Sequence, residues 1–120
     1  EEGKTANGQA KAAIVRLLLD AGADPAARST GSTQPMSPVK GATALHIAAQ
    51  FGNVGIIEML LETGRVDIEA ATELGCRPLH QAAGYNDGGS PGALLALLGA
   101  GADINATTSI GLTALHSAAW

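Results

Sequence analysis

An all-α solenoid, built from stacked helix–turn–helix units joined by hairpin-like loops, is the fold class predicted for this 120-residue chain, and three observations predict it. The segment Leu-His-x-Ala-Ala occurs at Leu45–Ala49, Leu79–Ala83 and Leu115–Ala119. A closing segment, Leu-Leu-x-x-Gly, occurs at Leu18–Gly22, Leu60–Gly64 and Leu97–Gly101. The spacing is nearly constant: His46 and His80 lie 34 positions apart, His80 and His116 36. One extra residue in Gly64-Arg65-Val66-Asp67 and three in the turn from Asn86 to Gly92 account for the difference and leave 33 in each unit. A fixed period of this size marks an array in which each unit buries its apolar face against its neighbours.

Lys11 to Leu19 is predicted helical, with Ile14, Leu17 and Leu18 at i, i+3, i+4 and Val15 and Leu19 beside them. Gly22 stops this helix, since glycine readily takes the left-handed conformation past a helix end. Residues 1–10 are small and polar and are expected to hold the remnant of an earlier helix. Arg28 to Lys40 is aperiodic and rich in Ser, Thr, Pro and Gly; about nine residues are inserted there relative to the join between Ala70 and Gly75. Such a stretch belongs on the surface.

Thr43 is placed to cap a helix in which Leu45, Ala48 and Ala49 share a face. The paired alanines let neighbouring units approach closely. Gly52-Asn53 turns the chain into a second helix with Ile56, Ile57, Met59, Leu60 and Leu61 inward and Glu58 and Glu62 toward solvent. The next unit repeats the plan with Leu79, Ala82 and Ala83, then Leu94, Leu95, Leu97 and Leu98. Ser90-Pro91 is a helix start, Ser as cap and Pro at the first helical position.

The matched residues carry a resemblance. Thr43-Ala44-Leu45-His46-Ile47-Ala48-Ala49 and Thr113-Ala114-Leu115-His116-Ser117-Ala118-Ala119 resemble the first-helix signature of ankyrin repeats, with Ala in place of Pro. Arg77-Pro78-Leu79-His80-Gln81-Ala82-Ala83 keeps the Pro and has Arg in place of Thr. The resemblance divides the chain into a partial repeat at 1–28, an inserted loop at 29–40, repeats at 41–74 and 75–110, and a partial repeat at 111–120. It implies a piece of a longer array with an apolar end at Leu115, Ala118 and Ala119.

Hydrophobic residues make up 46% of the chain and aromatics 2%, so the core is aliphatic. A net charge of −4 disfavours nucleic acid and anionic membranes as partners, because both reward a basic surface. One cysteine excludes an internal disulfide and suits a reducing compartment, so an intracellular location, cytoplasm or nucleus, is expected. No apolar run is long enough to span a bilayer.

Three histidines invite a metal site, but they hold the same place in successive units whose packed helices lie about 8–10 Å apart. Zinc needs its ligand nitrogens about 2.0–2.1 Å from one point. The resemblance instead implies a structural role, each imidazole bonding near its helix start and tying neighbouring turns together. Cys76 and His80, with Asp87 following, hold the residue types of a nucleophilic pair, yet no oxyanion hole accompanies them; a solvent-accessible thiol is expected instead. Asp87 to Gly92 precedes a helix start but lacks the Lys of a phosphate loop, and reads as an enlarged turn. No cofactor or catalysis is expected. Ser37-Pro38 has the form of a proline-directed phosphorylation site, and the resemblance places Asn105 where arrays of this family can be hydroxylated; a turn-stabilising Asn is the simpler reading.

Ankyrin repeats bind proteins through loop tips and the exposed face of their first helices. Carried over, this gives Val39, Lys40 and Ala42 with Gln50 and Phe51; Glu73, Leu74 and Cys76 with Tyr85; and Ser109, Ile110, Leu112 and Trp120. Phe51, Tyr85 and Trp120 share one register near the ends of first helices and suit interface anchors. The expected function is a protein–protein interaction module, a monomer apart from its partner. The alternatives are a substrate-recruiting segment of a larger enzyme and a purely structural scaffold array.

Overall fold

A computed structural model of the chain describes residues 2–30, 40–84 and 89–119, with side chains from residue 9 onward. The described residues form helices only: α1 (Glu2–Asp20), α2 (Ala44–Gln50), α3 (Val54–Glu62), α4 (Pro78–Ala82), α5 (Pro91–Gly99) and α6 (Ala114–Ala119). They lie in two layers. The inner layer is α2, α4 and α6, packed in that order, and the outer layer is α1, α3 and α5. Within the units, α2 packs on α3 and α4 on α5. This is the solenoid of stacked helix pairs that the repeat pattern predicts.

The helix starts follow from the residues that precede them. Thr43 Oγ1 accepts from His46 N–H at 3.4 Å, Asn53 Oδ1 from Ile56 N–H at 3.3 Å, and Ser90 Oγ from Ala93 N–H at 3.2 Å. Each satisfies an amide that the first helical turn leaves open. Pro91 begins α5 and Pro78 begins α4, where the missing N–H removes no intrahelical bond. Gly22, at φ +100°, ends the first helical run as expected.

The core is a seam of Leu45, Ala48, Ala49, Ile57, Leu60, Leu79, Ala82, Ala93, Leu97 and Ala114. Alanines at the α2–α4 and α4–α6 contacts leave room for backbones to approach. Two features depart from the sequence reading. Leu95, placed inward by the apolar run of α5, is 69% exposed, because in a nine-residue helix the seam takes Ala93 and Leu97 and turns Leu95 outward. Residues 2–10 are not a separate earlier helix; they continue into α1, whose 19 residues run unbroken. Ala6, Ala10, Ala12 and Ala13 favour helix, and no cap or turn residue set interrupts them with enough force to fold the chain back.

The apolar stripe of α1 also differs from its counterparts. Leu18, Leu60 and Leu97 each stand four residues before a closing glycine. Leu60 and Leu97 are 1% and 0% exposed, whereas Leu18 is 55% exposed, as Ile14 also is. In α3 and α5 that leucine faces an inner helix of its own unit. Beside α1 no such helix lies among the described residues.

Candidate protein-interaction surface

Between the layers' ends the chain runs out in three hairpin necks, and all three are closed by one bonding pattern. Ser29 N–H donates to Ala42 O, Thr72 N–H to Cys76 O and Thr108 N–H to Leu112 O, at 2.8–2.9 Å. Gly41, Gly75 and Gly111 donate back to the carbonyls of Ser29, Thr72 and Thr108 at 2.8–2.9 Å. The hydroxyls of the same three residues accept from the amides of Ala42, Cys76 and Leu112 at 3.1–3.2 Å. A hydroxyl is therefore needed at each of these places, and Ser or Thr supplies it.

The tips are joined to one another. Glu73 N–H donates to Lys40 O at 2.9 Å and Ser109 N–H to Leu74 O at 3.1 Å. Gly75 has φ +77°, and a Cβ there would stand 2.5 Å from Ser109 N, so the approach requires glycine. Lys40, Leu74 and Ile110, each directly before a neck glycine, thus form a row held at fixed intervals, all three exposed.

Behind the tips stand the histidines. His46 Nδ1 accepts from Thr43 N–H at 3.0 Å and from Thr43 Oγ1 at 2.9 Å, so its proton sits on Nε2, which donates to Cys76 O at 2.9 Å. His80 repeats this, accepting from Arg77 N–H at 2.9 Å and donating to Ala106 O at 3.0 Å. His46 thus joins its own helix start to the next unit, and His80 joins its helix start to the closing segment of its own unit. Burial pushes both pKa values below the ordinary imidazole value, against the opposing pull of backbone carbonyls. His116 Nδ1 accepts from Thr113 in the same way, at 3.1 Å from the amide and 2.8 Å from the hydroxyl. With both nitrogens engaged, His46 and His80 have none for a metal, and among the described residues no group of three His, Cys, Asp or Glu side chains could hold one.

The side chains placed on the surface by sequence divide into three groups. Lys40, Phe51, Glu73, Leu74, Ser109 and Ile110 are exposed, Phe51 at 75% and Ile110 at 78%, and Gln50 and Leu112 are half-buried. Ala42 and Cys76 are buried, Cys76 at 1%, which overturns both the surface role and the accessible thiol expected of it. One residue past the neck glycine the chain has re-entered the stack, and its side chain points between units. The pairing of Cys76 with His80 also fails, because His80 is already bonded at both nitrogens. Val39, Tyr85 and Trp120 lie outside the described residues, as do Ser37, Pro38 and Asp87. Asn105 is exposed, and its amide donates to Asp103 Oδ1 at 2.9 Å in a tight turn that Asp67 and Asp24 repeat with Glu69 and Ala26.

Charged groups brace the necks from the side. Arg28 Nη1 donates to Ala71 O at 2.7 Å and Arg77 Nη1 to Thr107 O at 2.9 Å. Glu69 Oε2 accepts from Asp103 N–H at 2.6 Å while Oε1 lies 3.6 Å from Arg77 Nε. Sequence reading missed this brace, although Arg in place of Thr at position 77 was its visible trace.

The model of ankyrin repeats in three copies matches residues 5–108. The chain belongs to the ankyrin repeat family. This ankyrin array is 37% identical over 82 residues to human ankyrin repeat domain-containing protein 53, an alignment that takes in 67% of the chain and 15% of that protein. It is also 34% identical over 106 residues to the E3 ubiquitin-protein ligase KEG of Arabidopsis thaliana, across 88% of the chain and 6% of the ligase. The chain thus spans under a sixth of the length of either relative. As a class, ankyrin repeats are scaffolds for protein–protein contact, and the residues described here show no catalytic arrangement.

Proposed function

We propose that this ankyrin array binds a protein partner along the row of hairpin tips and the adjoining exposed ends of its inner helices. One observation carries the reading: the tips bearing Lys40, Leu74 and Ile110 are bonded to one another through Lys40 O and Leu74 O, so the row is ordered before any partner arrives. A preorganised row loses little freedom on binding. Phe51, Leu74 and Ile110 supply apolar contact area on it, and Lys40, Glu73 and Ser109 supply polar contacts that fix register. The partner is a protein rather than nucleic acid or membrane, in keeping with the net charge of −4, and the setting is intracellular.

The test is an affinity capture with the wild-type chain, a Phe51→Ala/Leu74→Ala/Ile110→Ala variant, and an outer-face control, Glu58→Ala/Leu95→Ala. Proteins retained by wild type and control but lost from the triple variant support the surface. Identical sets from all three would remove it.

A second reading has its own support. The ligase relative carries a matching segment within a much longer chain, so this array can serve as the substrate-recruiting part of a larger enzyme. Attaching a ubiquitin-transferring module to the array and asking whether captured partners become modified in a tip-dependent way distinguishes recruitment from simple tethering.

A further inference from the structure

Charge along the tip row is ordered. The inner helices Ala44–Gln50, Pro78–Ala82 and Ala114–Ala119 contain no Asp, Glu, Lys or Arg, so full charges near the row come from the necks and tips. The arginines there are engaged: Arg28 holds the Ala71 carbonyl, and Arg77 holds the Thr107 carbonyl with Glu69 beside it. Lys40 and Glu73 differ. Both are exposed, and among the described residues neither side chain is bonded, although Glu73 N–H donates to Lys40 O at 2.9 Å. Beyond them come Leu74, bonded onward to Ser109, and Ile110. Leu74 has a tip on either side and is still 46% exposed, so this register stays open within a stack. From Lys40 onward the tips therefore present a cation, an anion and two apolar side chains.

Given the tip row as the docking surface, we propose that it takes an extended peptide segment of the partner in which a basic residue stands between an acidic residue and an apolar block. Complementarity sets the order. A carboxylate meets Lys40, a Lys or Arg meets Glu73, and aliphatic or aromatic side chains lie on Leu74 and Ile110. Whichever way the segment runs, the basic residue is the charge next to the apolar block, because Glu73 adjoins Leu74 and Lys40 does not. Successive units, like packed helices generally, stand about 8–10 Å apart, which an extended chain covers in about three residues at ~3.3 Å each. Acid and base then fall within about three positions of one another. Since the tips are bonded together, these charges are offered at a fixed interval. A segment with the opposite order would set like charges face to face at both places, a cost larger than the modest gain of two exposed ion pairs. Charge order thus acts mainly by rejecting wrong segments.

Selection from a displayed library of random peptides tests this with three arrays: wild type, the charge swap Lys40→Glu/Glu73→Lys, and Phe51→Ala/Leu74→Ala. The swap keeps the net charge at −4 and breaks no bond between described side chains, so it should keep the wild-type circular dichroism spectrum and melting curve. Wild type should enrich peptides whose charge next to the apolar block is basic, the swap should enrich peptides in which it is acidic, and the Phe51/Leu74 variant should lose the wild-type set. Synthetic peptides from each set should bind the matching array more tightly, a preference that shrinks with added salt. Peptides lost from the Phe51/Leu74 variant but without a charge order, or enriched alike by wild type and swap, overturn the charge order and leave the docking surface standing. Peptides enriched equally by all three arrays bind elsewhere, which removes the surface and the charge order with it. A wild-type array that enriches no peptide overturns the extended occupant, and the affinity capture then decides the surface by itself.

Discussion

His80 Nε2 lies 3.0 Å from the carbonyl oxygen of Ala106, twenty-six residues further along the chain, while its Nδ1 accepts the amide of Arg77. One side chain therefore closes the start of its own helix and fastens it to the segment that closes the same unit. His46 closes its helix start at Thr43 in the same way and reaches across to Cys76 of the following unit.

Removing either ring takes the acceptor from the amide at its helix start and one donor from the carbonyl it reaches, although Cys76 O keeps the Thr72 amide. We expect His46→Ala and His80→Ala each to lower the unfolding free energy by about 2–4 kcal/mol in urea titrations. His116, which is exposed, should lose less than about 1 kcal/mol on the same change. Equal losses at all three positions would show that the bonds from Nε2 to Cys76 O and Ala106 O add nothing.

The same rings set a pH dependence. Burial lowers the folded-state pKa of both below the unfolded value of about 6.5, so the unfolded chain binds more protons in the interval between them. Stability is then at its full value above that unfolded pKa and falls as pH drops through it. The slope is at most about 1.4 kcal/mol per pH unit for each histidine. A His46→Ala/His80→Ala pair, measured at pH 7 and pH 5, should show a smaller pH difference than wild type. An unchanged difference would place the titrating groups elsewhere.

Gly75 and Gly22 both have positive φ but meet different surroundings. A Cβ at Gly75 would press on Ser109 N at 2.5 Å, whereas at Gly22 nothing lies within 4 Å. Gly22→Ala should therefore cost only the conformational term of about 1–2 kcal/mol, and Gly75→Ala more than that, by thermal or denaturant unfolding. Comparable losses would mean that the tips are not held at the spacing described.

Burial of Cys76 governs its chemistry. In native buffer a maleimide or an aromatic disulfide reagent should label it slowly, at a rate that rises with denaturant as the stack opens. Immediate stoichiometric labelling of the folded chain would contradict the geometry.

Leu60 and Leu18 share a place in the repeat and differ in surroundings. Leu60→Ala should cost about 2–5 kcal/mol and Leu18→Ala less than about 1 in dilute solution. Similar values would imply that α1 is covered more fully than its exposure indicates.

What could be read from the chain alone was what repeats. The caps at Thr43 and Ser90, the stop at Gly22 and the seam through Leu45, Leu60, Leu79 and Leu97 are local or periodic, and both kinds of signal survive in one dimension. The misplacements have the opposite origin. Leu95 is apolar like its neighbours, and only the angle at which α5 meets the stack separates it from Ala93 and Leu97. Ala42 and Cys76 lie within two residues of exposed tips, yet the neck turns them inward, and no periodicity marks that reversal. The brace of Glu69, Arg77 and Asp103 needs three segments brought together before it has any meaning. The continuity of α1 was hidden because polar residues near the chain start fit a frayed end and a long helix equally well.

The first neck has a design consequence. Ser29 and Ala42 are clasped as Thr72 and Cys76 are, although thirteen positions separate the first pair and four the second. The clasp is indifferent to how much chain it ties off. Residues 31–39 can thus be lengthened, trimmed or exchanged for a foreign peptide while Lys40 keeps its hold on Glu73, which makes this the natural port for grafting a new recognition sequence onto the scaffold.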